Sequence, residues 1–205
     1  MCAIKFYNGI EIPPIIMSTN WMDYSTMKEV VSAGLKTGFR AFDTARDYGN
    51  EHIVGKVLKE CLAEQGLKRE DIFITTKIGN GQQRLGNIAE QINVSLKNLQ
   101  TDYVEIYQFH NLPFCPKPND GSGLYEAMLE AKDEGKIKHI GITSHKFTIA
   151  KQALSSGLYE TLQFPFSYLT DAQELNLVEK CKKLDVGFLA MKAMGGAVSY
   201  THLRA

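Results

Sequence analysis

Neither charge predominates in this chain of 205 residues: Lys and Arg number 23, Asp and Glu number 23, and the formal net charge is zero. Without a basic excess nothing draws in nucleic acid or an anionic membrane surface by electrostatics, so neither is expected as a partner. Paired cysteines are also missing. Cys2, Cys61, Cys115 and Cys181 are scattered, with no CxxC spacing. That points away from a disulfide framework or a zinc site, and toward reduced, mostly buried thiols in a cytoplasmic protein; no metal is expected. The opening "MCAIKFYNGIEIPP" lacks the long apolar stretch of a signal peptide. No run approaches the roughly 20 apolar residues of a membrane span. No linker or low-complexity stretch divides the chain, and no GxGxxG turn follows the first strand-like run, so a Rossmann-type dinucleotide site is not supported.

What is present is an ordinary globular composition, 44% hydrophobic and 22% charged, in which short β-branched runs alternate with helical patterns. "CAIKFYNGIEI" reads as a hairpin around Asn8-Gly9. "PPIIMS", "FRAFDTA", "DIFITTKI", "DYVEIYQFH", "IKHIGIT", "TLQFPFS" and "VGFLAMK" read as seven strands. Between them the pattern predicts helices over 25–36, with Thr26 and Glu29 spaced as a capping box, and after Asn50, which can cap a stripe of Ile53, Val54, Val57, Leu58, Cys61 and Leu62. Further helices are predicted along Ile88, Ile92, Leu96 and Leu99, over 123–134 and 146–155, and from Asp171 with Glu174 toward Leu184.

Near-continuous apolar strands alternating with helices predict a parallel sheet buried on both faces. A (β/α)8 barrel and an open doubly wound sheet both fit. The missing glycine fingerprint and the early hairpin, placed to plug the N-terminal mouth, favour the barrel. Such a barrel takes about 250 residues. The expected architecture is therefore an α/β (β/α)8 TIM barrel, incomplete at about seven strands, forming one domain over residues 1–205. The last nine residues, 197–205, have no helical period and read as a foreign tail on a fragment. The proline-rich "NLPFCPKPNDGSG" is a candidate active-site loop.

Catalytic groups of such barrels sit at the C-terminal ends of the strands. Asp43 ends the second strand, Tyr48 follows it in "FDTARDYGNE", Lys77 lies near the end of the third strand, and His110 ends the fourth. Taken singly, each has a structural reading: a loop cap, a core aromatic, a rim lysine, a satisfied histidine. Their placement on one face of adjacent strands favours a shared site. A tyrosine, with an ordinary pKa of about 10, is a poor proton donor unless its anion is stabilised. A nearby ammonium lowers that pKa, a carboxylate holds the ammonium, and a histidine orients a carbonyl. Together these groups can protonate an oxygen as hydride reaches its carbon.

The segments "FDTARDYGNE", "TTKI" and "YQFH" resemble those bearing the Asp, Tyr, Lys and His tetrad of the aldo-keto reductase superfamily, and the likeness runs from about residue 3 to Gly196. The resemblance implies an NAD(P)H-dependent oxidoreductase acting on the carbonyl of a small aldehyde or ketone. In it Tyr48 is the general acid, Lys77 tunes it, Asp43 pairs with Lys77, and His110 orients substrate. It also implies that Trp21 lines the substrate pocket, where an aromatic plugging the barrel rim is the competing reading. The cofactor, NADPH or NADH, would be met by Asp43, Thr143, Ser144, Gln163 and Met191. Thr143 and Ser144 stand where the family often has Ser-Asn, and Met191 where it often has a stacking tyrosine. "MKAMGG" resembles a bacterial branch that often carries a cysteine-rich iron–sulfur region further on, and no such region follows here. Gly195 and Gly196 allow backbone to approach a phosphate, though a plain turn explains them equally. Two alternatives stay open: a Schiff-base lyase or aldolase on the same barrel, using Lys77 or Lys192, and a non-catalytic dinucleotide-binding or regulatory protein of this fold.

Overall fold

A computed structural model describes residues 4–5, 10–79 and 88–193. The Asn8-Gly9 turn, Cys2, the Gly195-Gly196 pair and the tail from Ala197 lie outside the described residues. Two short strands, β1 (Ile4–Lys5) and β2 (Glu11–Ile12), pair antiparallel with Ile4 opposite Ile12. Seven parallel strands follow: β3 (Ile16–Ser18), β4 (Ala41–Asp43), β5 (Phe73–Ile78), β6 (Val104–His110), β7 (Ile137–Thr143), β8 (Thr161–Pro165) and β9 (Gly187–Met191). They hydrogen-bond in chain order, the neighbour-to-neighbour progression of a (β/α)8 fold rather than the reversal of a doubly wound sheet. The connecting helices are α1 (Tyr24–Lys36), α2 (Glu51–Glu64), α3 (Ile88–Leu99), α4 (Leu124–Asp133), α5 (Phe147–Ser156) and α6 (Ala172–Lys183).

The two-residue period of a strand sorts the side chains. One parity faces the helices: Phe42, Ile74, Ile78, Tyr107, Phe109, Ile140, Ile142, Leu162 and Phe164 share a continuous core with the apolar stripes of the helices, such as Met27, Val31 and Leu35 of α1 and Val54, Val57, Leu58 and Cys61 of α2. The other parity faces the barrel axis. At the N-terminal end a separate cluster joins Ala41, Phe73, Ile106 and Leu189 to Ile10 and Ile12, so the hairpin's second strand closes the barrel floor as expected. The helices approach closely where glycine allows it. A Cβ on Gly55 of α2 would stand 2.3 Å from the Asn98 carbonyl oxygen of α3.

Two caps differ from the sequence expectation. α1 is capped by Asp23, whose carboxylate accepts from the Thr26 amide at 2.8 Å, and not by a Thr26–Glu29 box. An ionised acceptor at a helix N-terminus gains from the helix dipole as well as from the hydrogen bond. Asn50 occupies the cap position of α2, but its side chain does not cap. Its amide instead donates to the carbonyls of Thr19 (2.8 Å) and Met22 (3.4 Å), anchoring the loop after β3. The Asp171–Glu174 capping box of α6 is present.

Charged side chains gather at the strand starts. Glu105, buried near the start of β6, receives Arg69 at 2.8 Å, the Ile74 amide at 2.7 Å and Lys138 at 3.4 Å. Glu160, just before β8, receives Lys132 at 2.6 Å, His139 at 2.7 Å and the Ile140 amide at 3.0 Å. These partners pull the Glu160 carboxyl down to about 2, against the opposing effect of burial.

Candidate active site

Above the apolar floor the axis-facing parity turns polar. Thr75, Gln108 and Gln163 form the middle: the Gln108 amide donates to Thr75 Oγ1 at 2.9 Å and to Gln163 Oε1 at 2.8 Å. Gly141 makes room for this network, since a Cβ there would meet Thr161 Oγ1 at 2.4 Å and Gln108 Cγ at 2.9 Å. One step further along each strand, at the C-terminal mouth, stand Asp43, Lys77, His110, Thr143 and Met191, all of the same parity.

Asp43 and Lys77 form a buried ion pair. Lys77 Nζ lies 2.5 Å from Asp43 Oδ2 and donates to the Thr44 carbonyl at 2.8 Å. Lys77 is 2% exposed and Asp43 6%. Burial pushes the carboxyl up and the ammonium down, each toward its neutral form, and their mutual attraction opposes both shifts. Lys77 is therefore a buried partner and not a rim lysine. Tyr48 ends a short 3-10 turn, Arg46–Tyr48, closed by Gly49 in the left-handed region, φ 68°, whose amide donates to the Arg46 carbonyl at 3.1 Å. Its half-buried ring lies over the pair, with Lys77 Nζ 5.2 Å from the ring centroid. His110 meets Tyr48 edge to face, their centroids 6.2 Å apart. The four tetrad residues are thus brought together at one mouth.

The electrostatics depart from expectation at Tyr48. Burial raises the phenol above its ordinary value, and Asp43 and Asp47 push the same way. The expected lowering by Lys77 is not seen because Asp43 matches the ammonium at 2.5 Å and the ammonium sits at the ring face. His110 is pulled down to about 4, first by burial and then by the charge of Lys77, so its imidazole is neutral at neutral pH. Asp47, absent from the expected site, places Oδ2 3.2 Å from His110 Nδ1.

The remaining expected positions spread around the rim. Ser144 is buried, and its hydroxyl turns back to the Lys146 backbone, accepting from N at 3.0 Å and donating to O at 3.3 Å. The Thr143 hydroxyl lies 3.8 Å from Met191 Sδ. Gln163 reaches the barrel axis, where its Oε1 accepts from Gln108. Trp21 is 92% exposed, at φ 64°, on the loop that Asn50 anchors. A ring so placed plugs nothing, which sets aside the rim-plug reading. Asp43 Oδ1, Gln108 Oε1 and His110 Nδ1 are buried without a hydrogen-bond partner among the described residues. A cavity of about 270 Å³ between α2, β5 and α3, lined by Leu58, Leu62, Ile74 and Leu99, lies away from the tetrad.

The model of the Aldo/keto reductase family matches residues 16–204. This chain belongs to the aldo/keto reductase family. It is 36% identical to the NAD(P)H-dependent D-xylose reductase of Scheffersomyces stipitis, over 95% of this chain and 68% of that protein. To aldo-keto reductase family 1 member C2 of Homo sapiens it is 30% identical, over 82% of this chain and 57% of that one. The chain thus spans between about 57% and 68% of the length of these two relatives. Its structure superposes on the aldose reductase of Schistosoma japonicum with a TM-score of 0.81 at 25% identity, covering all of this chain and 76% of that one.

Sequence reasoning missed three parts of this reductase mouth. Gln108 was signalled by parity, two residues before His110. Glu51 lies inside the quoted "FDTARDYGNE". It is buried, accepts from Thr76 Oγ1 at 2.8 Å and pairs with Arg46 at 3.3 Å, tying the Tyr48 turn to β5. Asp47 carried no sequence signal of its contact with His110.

Proposed function

We propose that this aldo/keto reductase chain reduces the carbonyl of a small aldehyde or ketone, with NADPH or NADH as the hydride source and Tyr48 as the general acid. The observation that carries the reading is the buried Asp43–Lys77 pair beneath the Tyr48 ring, with His110 at its edge. A buried lysine held by a carboxylate is costly to maintain and gives a neighbouring phenol a fixed, dry electrostatic setting.

The mouth fits a nicotinamide ring. A carboxamide offers both a donor and an acceptor. Asp43 Oδ1 and Gln108 Oε1 are buried oxygens still open to a donor, and unmet acceptors of this kind are expensive to bury. Gln163, Thr143, Ser144 and Met191 are the residues that would hold the ring, and Asp43 stands beside them. When bound, the dinucleotide supplies the hydride. The protein's share is to place the carbonyl and deliver a proton. Neutral His110 orients the carbonyl oxygen, and Tyr48 gives up its hydroxyl proton to that oxygen. Because burial makes the phenol a reluctant acid, it holds its proton until charge develops on the substrate oxygen.

The test is NADPH and NADH oxidation with an aldehyde panel for the wild type and Tyr48→Phe. The variant should lose roughly 10²–10⁴-fold in turnover and keep dinucleotide affinity. Near wild-type turnover in Tyr48→Phe would remove the assignment. Borohydride trapping of substrate on Lys77 or Lys192 would favour the lyase reading.

A further inference from the structure

The cavity of about 270 Å³ between α2, β5 and α3 has no part in the proposed reaction. Its walls include Leu58, Ile72, Ile74 and Leu99, all buried. Gly55, Lys59 and Ala63 also line it, and their i, i+4, i+8 spacing puts them on one face of α2. Gly55 is kept small by the α3 backbone, and Ala63 is small and exposed, so the helix leaves space on either side of the Lys59 stem. From Gly55 to Ala63 the axis runs roughly 12 Å. Walls that face empty space forfeit dispersion contacts, and an apolar cavity of even about 150 Å³ stays dry and takes up an apolar molecule.

The rim says what else such a molecule carries. Arg69 lines the cavity, but its guanidinium is engaged throughout, by Thr101, Glu105 and the carbonyls of Ile72 and Tyr103. The neighbouring acids are engaged too: Glu60 and Glu64 receive Lys28, and Glu70 stands against Lys68. Lys59 is exposed and has neither ion pair nor hydrogen bond among the described residues. The side-chain amide of Gln100, just past α3, is likewise exposed and unengaged among them. An apolar slot therefore opens at a cation and an amide that have no partner within the fold. We propose that this cavity binds an aliphatic monocarboxylate of medium chain length, its alkyl chain against Leu58, Ile74 and Leu99 and its carboxylate at Lys59 and Gln100. The proposal does not depend on the reaction assigned to the mouth.

The test is calorimetric titration of the full chain with octanoate, with the methyl resonances of Ile74 and Leu99 and the imidazole resonances of His110 reporting where it binds. Octanoate should bind at one site and shift the Ile74 and Leu99 methyls. Affinity should rise about fourfold per methylene from hexanoate to octanoate. Octylammonium should bind at least about fivefold more weakly than octanoate, since the rim charge is positive. Lys59→Met, at an exposed position, should lower octanoate affinity about fivefold and leave 1-octanol unchanged. Ala63→Leu, which puts a good helix former into the slot, should weaken octanoate and 1-octanol together. No saturable octanoate binding, shifts at His110 without shifts at Ile74, or an octanoate affinity unchanged by either substitution overturns the proposal. Equal binding of octanoate and octylammonium at the cavity overturns the assigned ligand class.

Discussion

Replacing Lys77 by methionine keeps most of the apolar stem of the side chain and removes its charge. In the folded variant Asp43 remains buried but loses both the attraction and the hydrogen bond of Lys77, the two main effects that hold its carboxyl down. Breaking a buried pair from one side costs about 3–5 kcal/mol, because a charge is left without compensation. The cost depends on pH. The Asp43 carboxyl is raised by burial in the folded variant, whereas in the unfolded chain it titrates near 3.9. A raised folded-state pKa favours the folded protein below the unfolded value and penalises it above. The penalty is therefore small near pH 4 and grows by about 1.4 kcal/mol per pH unit, levelling off once the folded carboxyl ionises. Urea unfolding of wild type and variant from pH 4 to pH 8 measures this. Adding Asp43→Asn to the variant should recover most of the loss at neutral pH, since the orphaned charge disappears. A loss below about 1 kcal/mol that is flat with pH, or a double variant worse than the sum of the singles, would refute the buried-pair reasoning.

Three further outcomes follow from the geometry. Gly55→Ala should cost about 1–3 kcal/mol or more in unfolding assays, because the new Cβ meets backbone that cannot swing aside; its distance from the tetrad should leave kcat intact at temperatures where the variant is folded. Gly141→Ala should also destabilise, but here the Gln108–Gln163 bridge must shift, so dinucleotide affinity, read by fluorescence titration, should fall with it. His110 is pulled to about 4 while the unfolded residue titrates near 6.5. Between those values the unfolded chain binds the extra proton, so stability drops as pH falls through that window, by up to about 3 kcal/mol. A His110→Asn variant should lose that part of the acid sensitivity in the same urea series.

Much of this was legible because strands impose a strict alternation. Once "DIFITTKI" and "DYVEIYQFH" were read as strands, the placing of Lys77 and His110 at their ends followed from fold and parity. The stripe from Val54 to Leu62 announced its helix for the same kind of reason. What escaped were choices among local polar partners. Asn50 could serve the amides of α2 or the carbonyls of the preceding loop, and only the folded arrangement brings Thr19 and Met22 within its reach. Thr26 and Glu29 have capping-box spacing, yet the helix starts one turn earlier, where the Asp23 carboxylate accepts from the amide of Thr26 itself. The direction of the Tyr48 shift was hidden because it depends on burial and on which carboxylate stands nearest Lys77, quantities that no spacing rule contains.

The two carboxylate hubs at the strand starts, Glu105 and Glu160, hold partners from neighbouring strands and the segments before them, while the tetrad stands at the opposite rim. The architecture thereby separates what must stay constant from what is free to vary. Loops grafted at the reactive rim, including the one carrying Trp21, can be recombined while the strand order remains locked from below. For protein engineering, that makes the lower rim the place to recruit thermal robustness and the upper rim the place to explore new substrates, each adjustable with little interference from the other.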